Sequence, residues 1–284
     1  MKIISGPTTQ SLASRVAKEL NLKPSLCEFK QFPDGELYTR ILENEKNLDS
    51  VAIIQSTITD SDLISLLQLI DACESASDVT VIIPYMGYAR QDKKFKQGEP
   101  ISARAIARTI DVDSVFTVNI HEKNILNFFN AKSFDLDASN LLGNYISTLN
   151  LINGLILAPD KGALGIAQSV ALDIEMDVDY LDKVRHSGDS ISINPKEMEV
   201  EGRDVVIMDD MISTGGTMAE SIKLLKKQGA NNVYLACIHP VLTQNAVLKL
   251  EFAGVEKIIA TDTIEKIQSC VSVSPLIADA IKNL

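Results

Sequence analysis

Val205-Val206-Ile207-Met208 is an apolar run with no polar alternation. Such a run suits a strand buried on both faces, as inside a parallel sheet covered by helices. Val79 to Ile83 reads the same way, and Val51 to Gln55, Gly154 to Ala158 and Lys257 to Thr261 also read as strands. Segments at helical spacing lie between such runs. Gln10 to Leu20 places Leu12, Val16 and Leu20 on one face, and Ser61 to Ser75 does so with Leu63, Leu66, Leu67, Ile70 and Cys73. Short strands alternating with helices predict an α/β fold with a mostly parallel sheet flanked by helices.

The alternation restarts in the second half of the chain. It predicts two similar α/β domains, 1–142 and 143–284, although no residue-level repeat is visible. The last helical run, Ser274 to Leu284, could pack on either domain, the N-terminal one included. A length of 284 residues suits two medium domains.

The net charge of −11 argues against a sequence-independent grip on nucleic acid and against an anionic membrane. Aromatic residues make up 5% of the chain, with no Trp, which leaves little for stacking bases. No signal segment opens the sequence, and no apolar run approaches the length of a membrane span. Cys27, Cys73, Cys237 and Cys270 are scattered, as expected of structural thiols in a reducing cytoplasm. These features predict a cytoplasmic protein.

Candidate chemistry clusters where strands should end. After the Val205 run come Asp209 and Asp210, then Ser213, Thr214, Gly215, Gly216 and Thr217, then a helical segment. Glycines let backbone approach an anion, and the N–H groups of a helix start with these hydroxyls can bind a phosphate. Asp209 and Asp210 repel a bare phosphate, so they suit sugar hydroxyls or a cation. The plainer reading is a tight turn whose Asp and Ser cap the next helix.

Between Arg90 and Arg108, six cations (Arg90, Lys93, Lys94, Lys96, Arg104, Arg108) face only Asp92 and Glu99. That cationic island, following a strand stopped by Pro84, suits a triphosphate more than a solvated loop. His121, after the strand Ser114 to Asn119, reads as structural or as a metal or phosphate ligand. Asp160, in Pro159-Asp160-Lys161-Gly162, reads as a helix cap or a magnesium ligand. Asp182 to Ser190 shows no apolar period and reads as a mobile loop, from which Lys183 and Arg185 could swing onto a transferring phosphoryl group. Phe32-Pro33-Asp34-Gly35-Glu36 reads as a turn between two strand-like runs.

Taken in order, Phe32-Pro33-Asp34-Gly35-Glu36, Arg90-Gln91-Asp92, Gly98-Glu99-Pro100-Ile101-Ser102, His121, Pro159-Asp160-Lys161-Gly162, Asp182-Lys183-Val184-Arg185 and Asp209 to Thr217 resemble the ribose-phosphate pyrophosphokinases, or phosphoribosyl pyrophosphate (PRPP) synthetases, over nearly the whole chain. Ser213, Gly216, Glu122 and Asn124 depart from the commonest bacterial and mammalian pattern, and the features are more similar to archaeal members.

The resemblance implies two phosphoribosyltransferase-like domains that transfer the diphosphoryl group of ATP to ribose 5-phosphate, for nucleotide biosynthesis. It implies Mg2+ as cofactor, with His121 and Asp160 as its ligands. Phe32, Asp34, Glu36, Arg90, Gln91, Asp92 and His121 would meet ATP. Asp209, Asp210, Ser213, Thr214, Gly215, Gly216 and Thr217 would hold ribose 5-phosphate, and Lys183 and Arg185 would be catalytic. It further implies a homo-oligomer in which the Phe32 turn of a neighbouring subunit completes the ATP site.

Two rivals share parts of this pattern. A type I phosphoribosyltransferase would need only the Asp209 to Thr217 loop. A catalytically silent regulatory subunit would have no use for Lys183 and Arg185.

Overall fold

The computed structural model describes residues 1–43, 48–181, 183–185, 191–193 and 199–284, with only the backbone for 183–185 and 191–193. It divides into two compact units. The first comprises Met1–Asp137, Thr263–Glu265 and Ser272–Leu284, and the second Ala138–Asp262 and Lys266–Val271.

In the first unit the chain runs β1 (Lys2–Ser5), α1 (Gln10–Glu19), β2 (Pro24–Ser25), β3 (Cys27–Gln31), β4 (Leu37–Ile41), β5 (Ser50–Ile54), α2 (Asp60–Asp71), β6 (Asp78–Ile83), α3 (Ser102–Ala107), β7 (Ser114–Val118) and β8 (Lys132–Leu136). The second contributes α4 (Ser139–Ser147), β9 (Leu155–Ala158), α5 (Leu164–Asp173), β10 (Asp177–Tyr180), β11 (Lys183–Arg185), β12 (Ile191–Ile193), β13 (Val205–Met211), α6 (Gly216–Lys227), β14 (Val233–His239), α7 (Ala246–Ala253), β15 (Lys257–Thr261) and β16 (Ser269–Val271). The final helix, α8 (Ser274–Lys282), belongs to the first unit and packs against α1.

Both sheets are parallel and six-stranded, in the orders β2-β1-β5-β6-β7-β8 and β10-β9-β13-β14-β15-β16. These orders are the same topology used twice. Each unit also inserts a two-stranded antiparallel ribbon at the same place, β3-β4 in the first and β11-β12 in the second. The α/β class expected from the sequence holds, and the repeat that the residues conceal is plain in the strand order.

Burial explains why the continuous runs are strands. Val205, Val206, Ile207 and Met208 are all fully buried. So are Val51, Ala52, Ile53 and Ile54. One face of the first sheet, through Val51, Ile53, Val81 and Ile83, packs on Leu66 and Leu69 of α2. Val205, Ile207 and Leu235 in the second pack on Ile222 and Leu225 of α6. Each such side chain contributes roughly 1.5–3 kcal/mol through burial.

Two hydrogen bonds tie residues 263–265 into the first unit. Helix α1 has no side-chain cap of its own. Oε1 of Glu265 accepts the Leu12 N–H at 2.8 Å in that role. The Ser56 hydroxyl donates to the Thr263 carbonyl at 2.6 Å.

The elements the sequence did not announce are mostly at edges. Strands β8 and β16 are the outer strands of the two sheets, short and partly exposed. An outer strand need not carry a continuous apolar run, so nothing in Lys132–Leu136 separates it from a loop. The segment read as an irregular loop after Leu181 is partly a strand. Lys183–Arg185 pairs antiparallel with Ile191–Ile193, with Lys183 opposite Ile193 and Arg185 opposite Ile191. Its β-branched Val184, Ile191 and Ile193 favour that geometry. Asp182 and 186–190 lie outside the described residues. No helix among the described residues is long and apolar enough to cross a membrane.

Candidate active site

Strand β13 does not stop before its acids, as the sequence suggested. It continues to Met211, with Asp209 opposite Cys237 and Met211 opposite His239. The next residues are held by the segment after β14. The Ile212 N–H donates to the His239 carbonyl at 3.1 Å, Leu242 N–H to Ile212 at 2.8 Å and Thr243 N–H to Ser213 at 3.1 Å. Gly215 has φ +71, and a Cβ there would lie 3.3 Å from Leu250 Cγ. Both facts restrict this position to glycine. Ser213, Thr214 and Thr217 are half-buried to exposed.

The helix that follows starts without a side-chain cap. Helix α2, its counterpart in the first unit, starts with a complete capping box. Thr59 N–H and Oγ1 donate to Asp62 Oδ2 at 2.7 and 2.9 Å, and Asp62 N–H donates to Thr59 Oγ1 at 3.3 Å. Thr59 and Asp62 thus satisfy each other's backbone N–H at the start of α2. On α6 the N-cap is Gly215, which has no side chain to cap the first-turn amides.

Behind that loop the acids crowd. Burial, and next the charge of Asp210, pushes the Asp209 carboxyl up to about 8, with Asp160 adding to the effect. Asp160 sits after β9, the neighbour of β13. Its Oδ1 accepts the N–H of Gly162 at 2.8 Å and of Ala163 at 3.3 Å. Asp160 is therefore not the helix cap that the plainer reading expected: α5 starts at Leu164 with Ala163 as its N-cap, and Asp160 closes the turn before it. Lys161 lies over the Tyr180 ring, 5.6 Å from its centroid. Among the described residues no three His, Cys, Asp or Glu side chains form a group that could hold a metal ion.

In the first unit the cationic segment after β6 is anchored at both ends. Gly87 N–H donates to Thr57 Oγ1 at 2.9 Å, and a Cβ on Gly87 would lie 2.1 Å from the Thr57 carbonyl oxygen. Tyr88, at φ +63, hydrogen-bonds Asp60 through its hydroxyl. The Gln91 side-chain oxygen accepts from the Ser102 hydroxyl, and its carbonyl from Ala103 N–H at 3.3 Å. Glu99 Oε2 accepts the N–H groups of Phe95 and Lys96, each at 2.9 Å, folding the loop. Arg90 is exposed and Asp92 buried.

His121 is exposed on the turn after β7. That turn is braced by Asp135 of β8, whose Oδ1 accepts the Thr117 hydroxyl at 2.7 Å and the Ile120 N–H at 2.9 Å. Burial holds the Asp135 carboxyl above the usual carboxylate range, against the lowering effect of these two bonds. Sequence reading missed Asp135 because it lies on an edge strand that carried no signal.

Phe32, Asp34 and Glu36 are all exposed at the tip of the β3-β4 ribbon. The tip is tight, with Phe32 N–H donating to Glu36 at 2.8 Å and Gly35 at φ +96. Gln68 of α2 holds β4 just behind the tip, donating to the Leu37 carbonyl at 2.9 Å and accepting from Thr39 Oγ1 at 2.8 Å. Lys183 and Arg185 lie on β11.

Residues 1–112 match the N-terminal domain of ribose phosphate pyrophosphokinase, and residues 126–273 match the phosphoribosyl transferase domain. A ribose-phosphate pyrophosphokinase from Methanosarcina acetivorans is 58% identical over 284 residues, covering 100% of both chains. Ribose-phosphate pyrophosphokinase 2 from Archaeoglobus fulgidus is 42% identical over 99% of this chain and 100% of its own. Among solved structures, phosphoribosylpyrophosphate synthetase from Mycobacterium smegmatis superposes with a TM-score of 0.84 at 29% identity, covering 99% of this chain and 97% of that one. The archaeal likeness expected from the motifs is matched by the first two.

Proposed function

The chain belongs to the ribose-phosphate pyrophosphokinase family, and from that premise we propose how its residues divide the reaction. The enzyme transfers the diphosphoryl group of ATP to the anomeric hydroxyl of D-ribose 5-phosphate, giving PRPP and AMP. The anomeric oxygen forms a bond to the β-phosphorus, and the bond from that phosphorus to the α,β-bridging oxygen breaks. AMP departs with that oxygen, and the anomeric proton goes to solvent or phosphate oxygen.

Ribose 5-phosphate binds the second unit. Its phosphate sits on the uncapped α6 start and the hydroxyls of Ser213, Thr214 and Thr217, and Gly215 and Gly216 let the backbone close on it. Asp209 and Asp210 accept hydrogen bonds from the ribose hydroxyls. ATP binds the first unit through Arg90, Gln91, Asp92 and His121. The Phe32, Asp34 and Glu36 tip of a neighbouring subunit completes that site, in a homo-oligomer working in the cytoplasm. Lys183 and Arg185 come onto the transferring group and neutralise charge as the transition state forms.

Phosphoryl transfer of this kind depends on positioning and charge neutralisation more than on covalent catalysis. No three-donor metal group exists among the described residues. Mg2+ is the cofactor that membership of the family implies, an ion that keeps waters and is bound through one or two protein groups together with substrate phosphates. His121 in the first unit and Asp160 in the second are each a candidate ligand for it, and the ion would neutralise charge on phosphate oxygens.

The observation that carries the sugar assignment is the acid pair Asp209 and Asp210 at the end of β13, followed by the left-handed Gly215 at the start of α6. Asp210→Asn tests it. Its KM for ribose 5-phosphate should rise by at least about tenfold, the effect of one charge-assisted hydrogen bond, with the KM for ATP unchanged. Equal weakening of both substrates would remove Asp210 from the sugar.

A further inference from the structure

His121 is exposed, yet the backbone on both sides of it is tied to the outer strand β8 and to Asp137 just past it. Before it, Asn119 turns the chain at φ +39, an uncommon conformation for a non-glycine residue. Its N–H donates to the Leu136 carbonyl at 2.9 Å, and its Nδ2 donates to Asp137 Oδ1 at 2.9 Å. The next N–H, that of Ile120, donates to Asp135 Oδ1 at 2.9 Å, and the same oxygen accepts the Thr117 hydroxyl at 2.7 Å. After His121, the Ser133 hydroxyl donates to the Leu126 carbonyl at 2.8 Å, tying the helical turn Lys123–Phe128 to the same strand. Ile120 and Ile125 are buried on either side of the exposed histidine.

A turn needs a brace of this kind when the direction of one side chain matters. Without Asp135 the Ile120 N–H would lose its acceptor, and the left-handed residue just before it would lose a neighbour that holds it.

We propose that Asp135 is a positioning residue for the diphosphoryl transfer: its Oδ1 ties the Thr117 hydroxyl to the Ile120 N–H and so sets the direction in which His121 leaves the sheet toward ATP. The role rests on the assignment of His121 to ATP. Asp135 acts only through that turn, and strand β8 serves as the template for it.

The test is a cycle of Asp135→Ala and His121→Ala, with Asp135→Asn and Thr117→Val as milder variants, read as kcat and as KM for each substrate. Misplacing one group by an ångström can cost on the order of 100-fold, so Asp135→Ala should lower kcat by about 10- to 100-fold. The KM for ribose 5-phosphate should stay within about twofold, since that substrate is held elsewhere. Asp135→Asn should restore kcat to within a few-fold, because its amide oxygen accepts the same two bonds. Thr117→Val, which removes one of them, should fall between. In the His121→Ala background the Asp135→Ala loss should shrink to about twofold or less, because coupled residues are not additive.

An undiminished kcat in Asp135→Ala would overturn the proposal, and so would an equal further loss in the His121→Ala background. If the alanine variant fails to fold, Asp135→Asn and Thr117→Val still decide it, since equal kcat losses in both would contradict the hydrogen-bond account. A full kcat in His121→Ala by itself would instead overturn the assignment of His121 to ATP.

Discussion

The backbone N–H of Asp210 donates to Oδ1 of Asp209 at 2.9 Å while the two carboxyl groups repel each other. The bond keeps adjacent acids in fixed geometry at the end of a strand whose preceding residues are fully buried. The arrangement costs stability while it holds in place the two carboxyl groups proposed to bind the sugar.

A pH dependence follows from it. The Asp209 carboxyl is pushed up to about 8, chiefly by burial and then by Asp210. In the unfolded chain an aspartate titrates near about 3.9. Between those values the folded chain binds more protons than the unfolded one, so this pair's contribution to stability is complete below about pH 4 and falls as pH rises through about 8. Asp209→Asn removes the effect. Its melting midpoint relative to the parent chain should therefore rise steadily from pH 5 to pH 8, and a constant offset would contradict the buried, repelled carboxyl.

Two helix starts should respond differently to substitution. Thr59→Ala removes the capping box of α2 and should cost about 1 kcal/mol, lowering the melting midpoint by about 2–4 °C without changing either KM. Gly215→Ala forces a side chain into φ +71 and against Leu250. It should cost about 1–2 kcal/mol of strain and raise the KM for ribose 5-phosphate far more than that for ATP. Thermal melts beside substrate kinetics separate the two, and a ribose 5-phosphate effect in Thr59→Ala would contradict the contrast.

Lys183→Ala should lower kcat by roughly 10²- to 10³-fold, the usual cost of losing one transition-state charge partner, with ATP affinity nearly unchanged. Rapid-mix kinetics and equilibrium ATP titration read the two quantities separately. A loss confined to affinity would place Lys183 in ground-state binding.

The exposed Phe32 tip yields a mixing test. Phe32→Ala and His121→Ala chains should each be weakly active alone. Co-assembled, they should recover activity, because a sound tip from one chain then meets a sound His121 site on the other. No recovery in demonstrably mixed oligomers would mean that the tip does not serve a neighbour.

Much of the fold was legible because burial on both faces leaves a continuous apolar mark, as in Val79 to Ile83 and Val205 to Met208. The outer strands β8 and β16 left no such mark. Neither did the backbone hydrogen bonds that make β11 a strand, since they depend on Ile191–Ile193 arriving opposite. At the site, the loop Ser213 to Thr217 was readable because glycine, hydroxyls and a following helix point to an anion. Asp62 closing the equivalent start on α2 was not read from the sequence, because the equivalence of α2 and α6 exists only in the strand order. Asp135 and Glu265 act across 15 and 253 residues respectively, and no local pattern announces them.

The most direct measurement is a magnesium-dependent assay of the purified chain with ATP and ribose 5-phosphate, quantifying AMP, ADP and PRPP together. The account predicts AMP and PRPP in equal amounts with no ADP, and no AMP when ribose 5-phosphate is omitted. ADP in place of AMP, or AMP formed without PRPP, would contradict diphosphoryl transfer to the anomeric hydroxyl.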